Sequence, residues 1–248
     1  GYQAGCNAQG DASIAIGDQA GKTVQATQAV AMGYLAGCNA QGVRSIAVGR
    51  EAGKTAQGAT SIAVGLAAGC NAQGANAIAL GSAAGQGGQG TYAVAIGEVA
   101  GCNAQGDYSV AIGVQAGSGS QGTLATALGV NAARITQGAS ATAVGDSAGY
   151  TGQGANSVAV GYRAACADQG TNSVAVGNEA GKTSQGTNSV AIGYLAGSTG
   201  QEGSSVAIGV NSGESAQGAS ATAVGRTSGR YNQGDYATAV GQGAGTTA

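Results

Sequence analysis

The sequence predicts an all-β protein, a parallel β-solenoid or β-roll of about fifteen 16-residue coils. The pentapeptide Ser-Val-Ala-Ile-Gly at residues 109–113 returns in near copies at a fixed 16-residue spacing, from residues 13–17 to residues 237–241. Self-similarity at a short fixed period is typical of solenoids. With Tyr2 as position 1, residues 2–241 divide into fifteen blocks without insertion or deletion. We therefore predict a single solenoid over 2–241, with 242–248 as the start of a further coil or a C-terminal tail.

Each block contains one predicted strand at positions 12–15. Position 13 is Ile or Val except at four threonines, position 14 is always Ala, position 15 is aliphatic or Met32, and position 16 is always Gly. Residues two apart lie on the same face of a strand. We predict that positions 13 and 15 face into the solenoid, while the Ser or Ala of position 12 and the Ala of position 14 face outward. The threonines are Thr126, Thr142, Thr222 and Thr238.

The charged residues indicate which positions face water. All twenty lie at positions 1, 2, 5, 7, 9, 10 or 11 of a block. Burial of an unpaired charge is costly, so these positions are predicted to be on the surface. The nine tyrosines lie at positions 1, 5, 6 and 11, and four of them are candidates for binding at the surface: Tyr92, Tyr108, Tyr162 and Tyr194.

The rest of the coil is predicted from its small residues and its glutamine. A second strand is expected at positions 1–3, with tight or crowded corners at positions 4, 9 and 16, where Gly predominates. Position 8 is Gln in every block, which predicts a buried ladder of amides hydrogen-bonded between coils. Its members are Gln9, Gln25, Gln41, Gln57, Gln73, Gln89, Gln105, Gln121, Gln137, Gln153, Gln169, Gln185, Gln201, Gln217 and Gln233.

Composition limits the class of protein. Hydrophobic residues make up 43% of the chain but aromatic residues only 4%, with 50 Gly and no Trp, Phe or Pro, so the core must be thin and repetitive. The 8% of charged residues and the net charge of −2 argue against disorder and against nucleic-acid binding. No apolar run is as long as a transmembrane helix, so we expect no membrane insertion within this segment.

Five cysteines share position 5 of their blocks: Cys6, Cys38, Cys70, Cys102 and Cys166. Members of the row in alternate coils are two strand spacings apart, about 9.6 Å, which exceeds the Cα separation that a disulfide tolerates. Disulfides within the chain are therefore not expected. The open alternatives are small residues at equivalent sites, pairing with another chain, and a Cys metal site.

The sequence offers no catalytic chemistry. It contains no His, which excludes Ser-His and Cys-His nucleophiles, and its eleven acids are scattered over surface positions. Residues 85–90 are rich in Gly but lack the following helix that a phosphate-binding loop requires. We predict that the protein is not an enzyme and has no catalytic residue, cofactor or metal.

The motif [SA]-[VIT]-A-[VIL]-G followed by x-x-A, carried plainly by residues 173–177 and 189–193, resembles the head repeats of YadA-like trimeric autotransporter adhesins. It is also similar to related repeats of virus and phage surface fibres. This resemblance implies a left-handed roll and side-by-side association of three chains. The 16-residue coil is longer than the usual adhesin coil.

These observations predict a structural and adhesive rod of an extracellular, cell-surface or virion-surface fibre, a homotrimeric spacer that attaches to a host-cell, matrix or particle surface. We place the contact between chains at the small-residue face of positions 12 and 14, because the Ala of position 14 never varies. An ice-binding solenoid is the alternative function, and a carbohydrate-binding module with exposed Tyr as stacking platforms is a weaker one. The candidate interface residues are Ala15, Ala47, Ala79, Ala111, Ala127, Ala159, Ala191 and Ala223.

Overall fold

The computed structural model describes residues 1–246. The chain divides into two compact units, unit 1 from Gly1 to Leu124 and unit 2 from Ala125 onward. In each unit the chain forms a parallel β-solenoid with one coil per sequence block, which confirms the predicted fold class. Residues 1–246 contain no helix, and hence none that could span a membrane.

Both units are built from very short strands. The strands of unit 1 are β1 (Ile14–Ile16), β2 (Val30–Met32), β3 (Asn39–Gln41), β4 (Ile46–Val48), β5 (Thr55–Gln57), β6 (Ile62–Val64), β7 (Asn71–Gln73), β8 (Ile78–Leu80), β9 (Val94–Ile96), β10 (Val110–Ile112) and β11 (Ser120–Gln121). The strands of unit 2 are β12 (Thr126–Leu128), β13 (Thr136–Gln137), β14 (Thr142–Val144), β15 (Thr151–Gln153), β16 (Val158–Val160), β17 (Ala167–Gln169), β18 (Val174–Val176), β19 (Thr183–Gln185), β20 (Val190–Ile192), β21 (Thr199–Gln201), β22 (Val206–Ile208), β23 (Ser215–Gln217), β24 (Thr222–Val224) and β25 (Thr238–Val240).

The strands of each unit belong to two kinds of sheet. Strands at positions 13–15 form the aliphatic sheet, ordered β1-β2-β4-β6-β8-β9-β10 in unit 1 and β12-β14-β16-β18-β20-β22-β24-β25 in unit 2. Strands that end at the Gln of position 8 form the glutamine sheet, β3-β5-β7 in unit 1 and β13-β15-β17-β19-β21-β23 in unit 2. Pairing is parallel and in register, so that Ala15 faces Ala31 and Gln169 faces Gln185. Equivalent residues of successive coils within a unit are therefore direct neighbours.

The predicted second strand at positions 1–3 is wrong, because residues at these positions form a turn and the second strand lies at positions 6–8. The residue at position 2 has a left-handed backbone, with φ of 55° at both Gln19 and Leu35, and belongs to this turn. Positions 7 and 11 are also left-handed, as at Ala40 (58°) and Arg44 (56°). These corners bend the chain tightly enough to close a coil, although they are occupied mainly by residues other than Gly.

The two faces of the aliphatic sheet are the reverse of those predicted. The Ser or Ala of position 12 and the Ala of position 14 are buried inside the coil, whereas positions 13 and 15 face outward. The alanines predicted to meet another chain are fully buried within their own solenoid, except Ala15 of the first coil, which is half-buried. The alanines for which the predicted outward orientation is wrong are Ala15, Ala47, Ala79, Ala111, Ala127, Ala159, Ala191 and Ala223.

The narrow interior explains why position 14 is always Ala. A Cβ added at Gly37, which occupies position 4, would lie 3.3 Å from the Cβ of Ala31 and 2.6 Å from Oε1 of Gln41. The space inside the coil is thus filled by a methyl group, a Gly backbone and a Gln amide. A Val or Ile side chain has no room there and is placed outside instead.

The glutamines of position 8 are the largest side chains of this interior. From Gln25 to Gln233 they are buried, and Gln9 in the first coil is exposed. Each amide nitrogen donates to the carbonyl oxygen of position 13 in the preceding coil, as from Gln25 to Ile14 at 2.7 Å. Several also donate to Oε1 of the next glutamine, as from Gln185 to Gln201 at 3.2 Å. The side chains thereby join the glutamine sheet to the aliphatic sheet.

Candidate interaction surface

The outward face of the aliphatic sheet is the main apolar surface of each unit. Ile192 and Ile208 retain 39% and 38% of their surface in contact with solvent, whereas the intervening Ala191 and Ala207 retain none. No residue at position 13 or 15 is fully buried. In unit 1 these residues are Ile14, Ile16, Val30, Met32, Ile46, Val48, Ile62, Val64, Ile78, Leu80, Val94, Ile96, Val110 and Ile112.

In-register pairing turns these residues into two parallel rows. Val190 lies beside Val206 and Ile192 beside Ile208, at the strand spacing of about 4.8 Å. The seven strands of unit 1 thus present apolar side chains over a length of about 29 Å. Positions 12–16 carry no charge in any coil, so no ionic group interrupts the rows. Monomeric proteins seldom leave apolar patches of this extent in water.

Position 1 borders the rows and carries mixed side chains. Tyr34, Tyr162 and Tyr194 lie there and are about half exposed, as predicted for surface tyrosines. The guanidinium of Arg50 lies 6.0 Å from the ring centroid of Tyr34, one coil away. This border is therefore amphipathic, with apolar ring surface next to charged groups.

The candidates Tyr92 and Tyr108 lie elsewhere, at position 11 of adjacent coils. Both are exposed, and their rings stack with centroids 5.1 Å apart and an angle of 8° between planes. Each ring covers one face of the other, so each ring keeps at most its outer face for stacking with a partner. The pair is consequently less suited to stacking against a sugar than isolated tyrosines would be.

The threonines of position 13 occur in unit 2 and face outward, contrary to the inward orientation expected from the sequence. They form two adjacent pairs, Thr126 beside Thr142 and Thr222 beside Thr238. Valines occupy position 13 in the coils between these pairs. Two isolated pairs do not form the continuous outward row of Thr that an ice-binding face would need.

The cysteine row at position 5 is largely buried in unit 1. Cys38, Cys70 and Cys102 are buried, while Cys6 is exposed. Burial raises the pKa of the Cys70 thiol, although the Lys54 ammonium acts in the opposite direction, and burial also raises the pKa of Cys102. The thiols of Cys70 and Cys102 therefore remain protonated at neutral pH and are poor nucleophiles. Residues 1–246 contain no group of three Cys, Asp or Glu side chains that could hold a metal ion.

Comparison with known proteins gives one family. The YadA head domain repeat matches in two copies, over residues 103–117 and over residues 184–212. The first match lies in unit 1 and the second in unit 2. No curated protein matches the chain. The second match includes β20 and β22, whose outward residues belong to the apolar rows.

Proposed function

Because both units carry YadA head domain repeats, we propose that the protein is part of the head of a homotrimeric adhesin at a cell surface. The observation that carries this proposal is the outward position of the aliphatic rows at positions 13 and 15. In this assembly the rows of three chains face one another and replace the alanines as the contact between chains. The role is structural and adhesive rather than enzymatic.

The energetics of the rows favour association. Each Val, Ile, Leu or Met of the rows retains part of its surface in solvent, so its further burial contributes on the order of 1 kcal/mol. Fourteen such side chains in unit 1 alone offer on the order of 10 kcal/mol per chain before the entropic cost of association is subtracted. No charge has to be desolvated at positions 12–16. A contact of this kind is typical of obligate oligomers.

The remaining surface is suited to contact with other partners. Positions 6, 7, 10 and 11 carry Asn, Thr, Ser, Asp and Tyr side chains, many of them exposed. In the proposed trimer these positions stay outside the aliphatic contact and are available to a host-cell or matrix surface. The solenoid holds this polar surface at a distance from the cell and acts as a spacer.

The test is the mass of the protein in solution. Sedimentation equilibrium of the wild type is expected to give three times the chain mass of 23.1 kDa. The triple variant Val174→Arg, Val190→Arg and Val206→Arg introduces three adjacent cations into one row, and we expect it to be monomeric with an unchanged circular dichroism spectrum. Burial of these charges in a trimer would be too costly.

A control places two arginines on an exposed corner of two of the same coils. Thr171→Arg and Thr187→Arg change position 10, where both side chains are exposed, and the control is expected to remain trimeric. A wild type that stays monomeric at 100 μM, or an arginine-row variant that stays trimeric, would contradict the proposal.

A further inference from the structure

A cavity of about 620 Å³ opens on the glutamine-sheet side of unit 2. Its lining comes from positions 6–10 of four successive coils, so it lies outside the aliphatic rows. Three of the lining residues, Gly200, Ala216 and Gly218, have no side chain or only a methyl group. The polar side chains that line it are those of Ser184, Thr199, Gln201, Glu202, Ser215, Gln217, Asn232, Gln233 and Asp235.

Glu202 breaks the repeat at this cavity. Position 9 is Gly in every coil except for Ala26 and Glu202. The reason for Gly is steric, because a Cβ added at Gly170 would lie 2.5 Å from the backbone nitrogen of Thr187 in the next coil. The preceding coil has Gly186 and Thr187 at positions 9 and 10, whereas the next coil has Glu202 and Gly203 at the same positions. A carboxylate is thus present at a position where thirteen of the fifteen coils have Gly, and such departures from a local rule are expected at functional sites.

The polar groups of the cavity are available to a ligand. Oδ1 of Asp235 accepts a hydrogen bond from the backbone N–H of Ala219 at 2.9 Å, which leaves its second oxygen free. The Glu202 carboxylate and the hydroxyls of Thr199 and Ser215 make no side-chain hydrogen bond with residues 1–246. No Lys or Arg lines the cavity. Two carboxylates and several hydroxyl and amide groups therefore line one cavity together with residues that have little or no side chain.

We propose that this cavity binds a short, uncharged oligosaccharide. Sugar hydroxyls donate strong hydrogen bonds to carboxylates such as those of Glu202 and Asp235. They also accept hydrogen bonds from the hydroxyl and amide donors that line the same cavity. The volume lies within the range of about 300–1,000 Å³ that is typical of small-molecule sites. The two carboxylates repel acidic sugars, so the site selects neutral glycans over sialylated ones.

This inference deepens the proposed adhesive function and rests on it, since it names the chemistry that the surface recognises. The experiment titrates the wild-type protein by calorimetry with a panel of neutral di- to tetrasaccharides and with sialylated counterparts of each. Saturable binding of at least one neutral glycan is expected, together with at least tenfold weaker binding of its sialylated form. A lysine-containing tetrapeptide and CaCl2 are titrated in parallel.

The key variant is Glu202→Gly, which restores the residue that the repeat prefers. We expect it to fold at least as stably as the wild type and to bind the selected glycan at least tenfold more weakly. Asp168→Asn, an exposed change in unit 2 outside the cavity, serves as the matched control and is expected to leave binding unchanged.

Three outcomes would overturn the glycan site: no neutral glycan binds at millimolar concentration, Glu202→Gly binds as tightly as the wild type, or only the peptide or Ca2+ binds. The mass measurement separates this inference from the proposed function. A trimer that binds no glycan refutes the site alone, whereas a monomer that binds glycan through Glu202 refutes the trimer alone.

Discussion

Units 1 and 2 are built from the same 16-residue coil, but they differ in their outward side chains and in the hydrogen bonds between their glutamines. Every outward residue at position 13 of unit 1 is Ile or Val, whereas four of the eight in unit 2 are Thr. Both units keep the same interior of Ala, Ser, Gly and Gln. The comparison shows that the interior is fixed by space, while the outward rows vary in polarity and can set the strength of association.

The glutamine rows differ as well. In unit 2 the amides of Gln169, Gln185, Gln201, Gln217 and Gln233 form an unbroken chain of hydrogen bonds, each nitrogen donating to the next Oε1 at 3.1–3.2 Å. In unit 1 such a chain runs from Gln57 through Gln73 to Gln89. At Gln41 the nitrogen donates to two carbonyl oxygens, and Oε1 is buried without a partner in the described part of the chain.

The largest expected effect of a single change follows from this difference. Gln185→Leu removes the hydrogen bonds that the Gln185 side chain makes to Gln169 and to Gln201. It leaves the Oε1 of Gln201 buried without its donor, which should cost about 2–3 kcal/mol. Gln41→Leu also removes an unpartnered buried oxygen, and we expect it to cost about 1 kcal/mol. Urea midpoints of the two variants measure the difference, and equal midpoints would show that the chain of amides adds nothing.

Position 4 provides a second comparison, of intermediate size. In unit 1 this position is always Gly, whereas unit 2 has Ala133 and Ala165 there, both with φ of 47°. Gly37→Ala should destabilise by about 1–2 kcal/mol, because its backbone is left-handed and Oε1 of Gln41 lies only 2.6 Å from where the Cβ would be. Ala165→Gly relieves the same strain and should stabilise by up to about 1 kcal/mol. Thermal unfolding measures both, and a shift in the same direction for the two variants would contradict the steric explanation.

The smallest expected effect concerns the outward threonines. Thr126→Val together with Thr142→Val makes the first coils of unit 2 as apolar as those of unit 1. The proposed trimer should then dissociate at a concentration severalfold lower, since each change contributes a few tenths of a kcal/mol per chain. Dilution followed by mass photometry measures this concentration. Tighter association after Thr187→Val, on the exposed corner, would argue against a specific role of the row.

The sequence predicted the fold because an uninterrupted 16-residue register leaves little choice of architecture. It did not predict the orientation of the strand, since we assigned Val110 and Ile112 to the interior on the usual expectation that aliphatic residues are buried. The informative signal was variability: position 15 accepts Ile, Val, Leu and Met, while position 14 accepts only Ala. A narrow interior demands one size, and an outward row tolerates several.

The remaining features depend on geometry that a pattern does not specify. The left-handed corners at positions 2, 7 and 11 carry many residue types, so no composition rule marks them. The cavity beside Glu202 depends on the relative placement of four coils, and only the loss of Gly at position 9 pointed to it. Sequence reasoning missed this residue because a single surface acid is ordinarily a solvated one.

The in-register stacking of equivalent residues also has a genetic consequence. Within a unit, deletion of one whole coil between equivalent positions leaves each Gln, Ala and Gly stacked on a residue of the same kind in the next coil, as Gln169 is stacked on Gln185. A deletion whose length is not a multiple of 16 residues shifts the register, so that equivalent residues no longer stack on one another. Unequal recombination between the near-identical repeats can therefore shorten or lengthen the gene by whole coils while the protein still folds. Variants of this protein that differ in length are expected to differ by an integral number of coils.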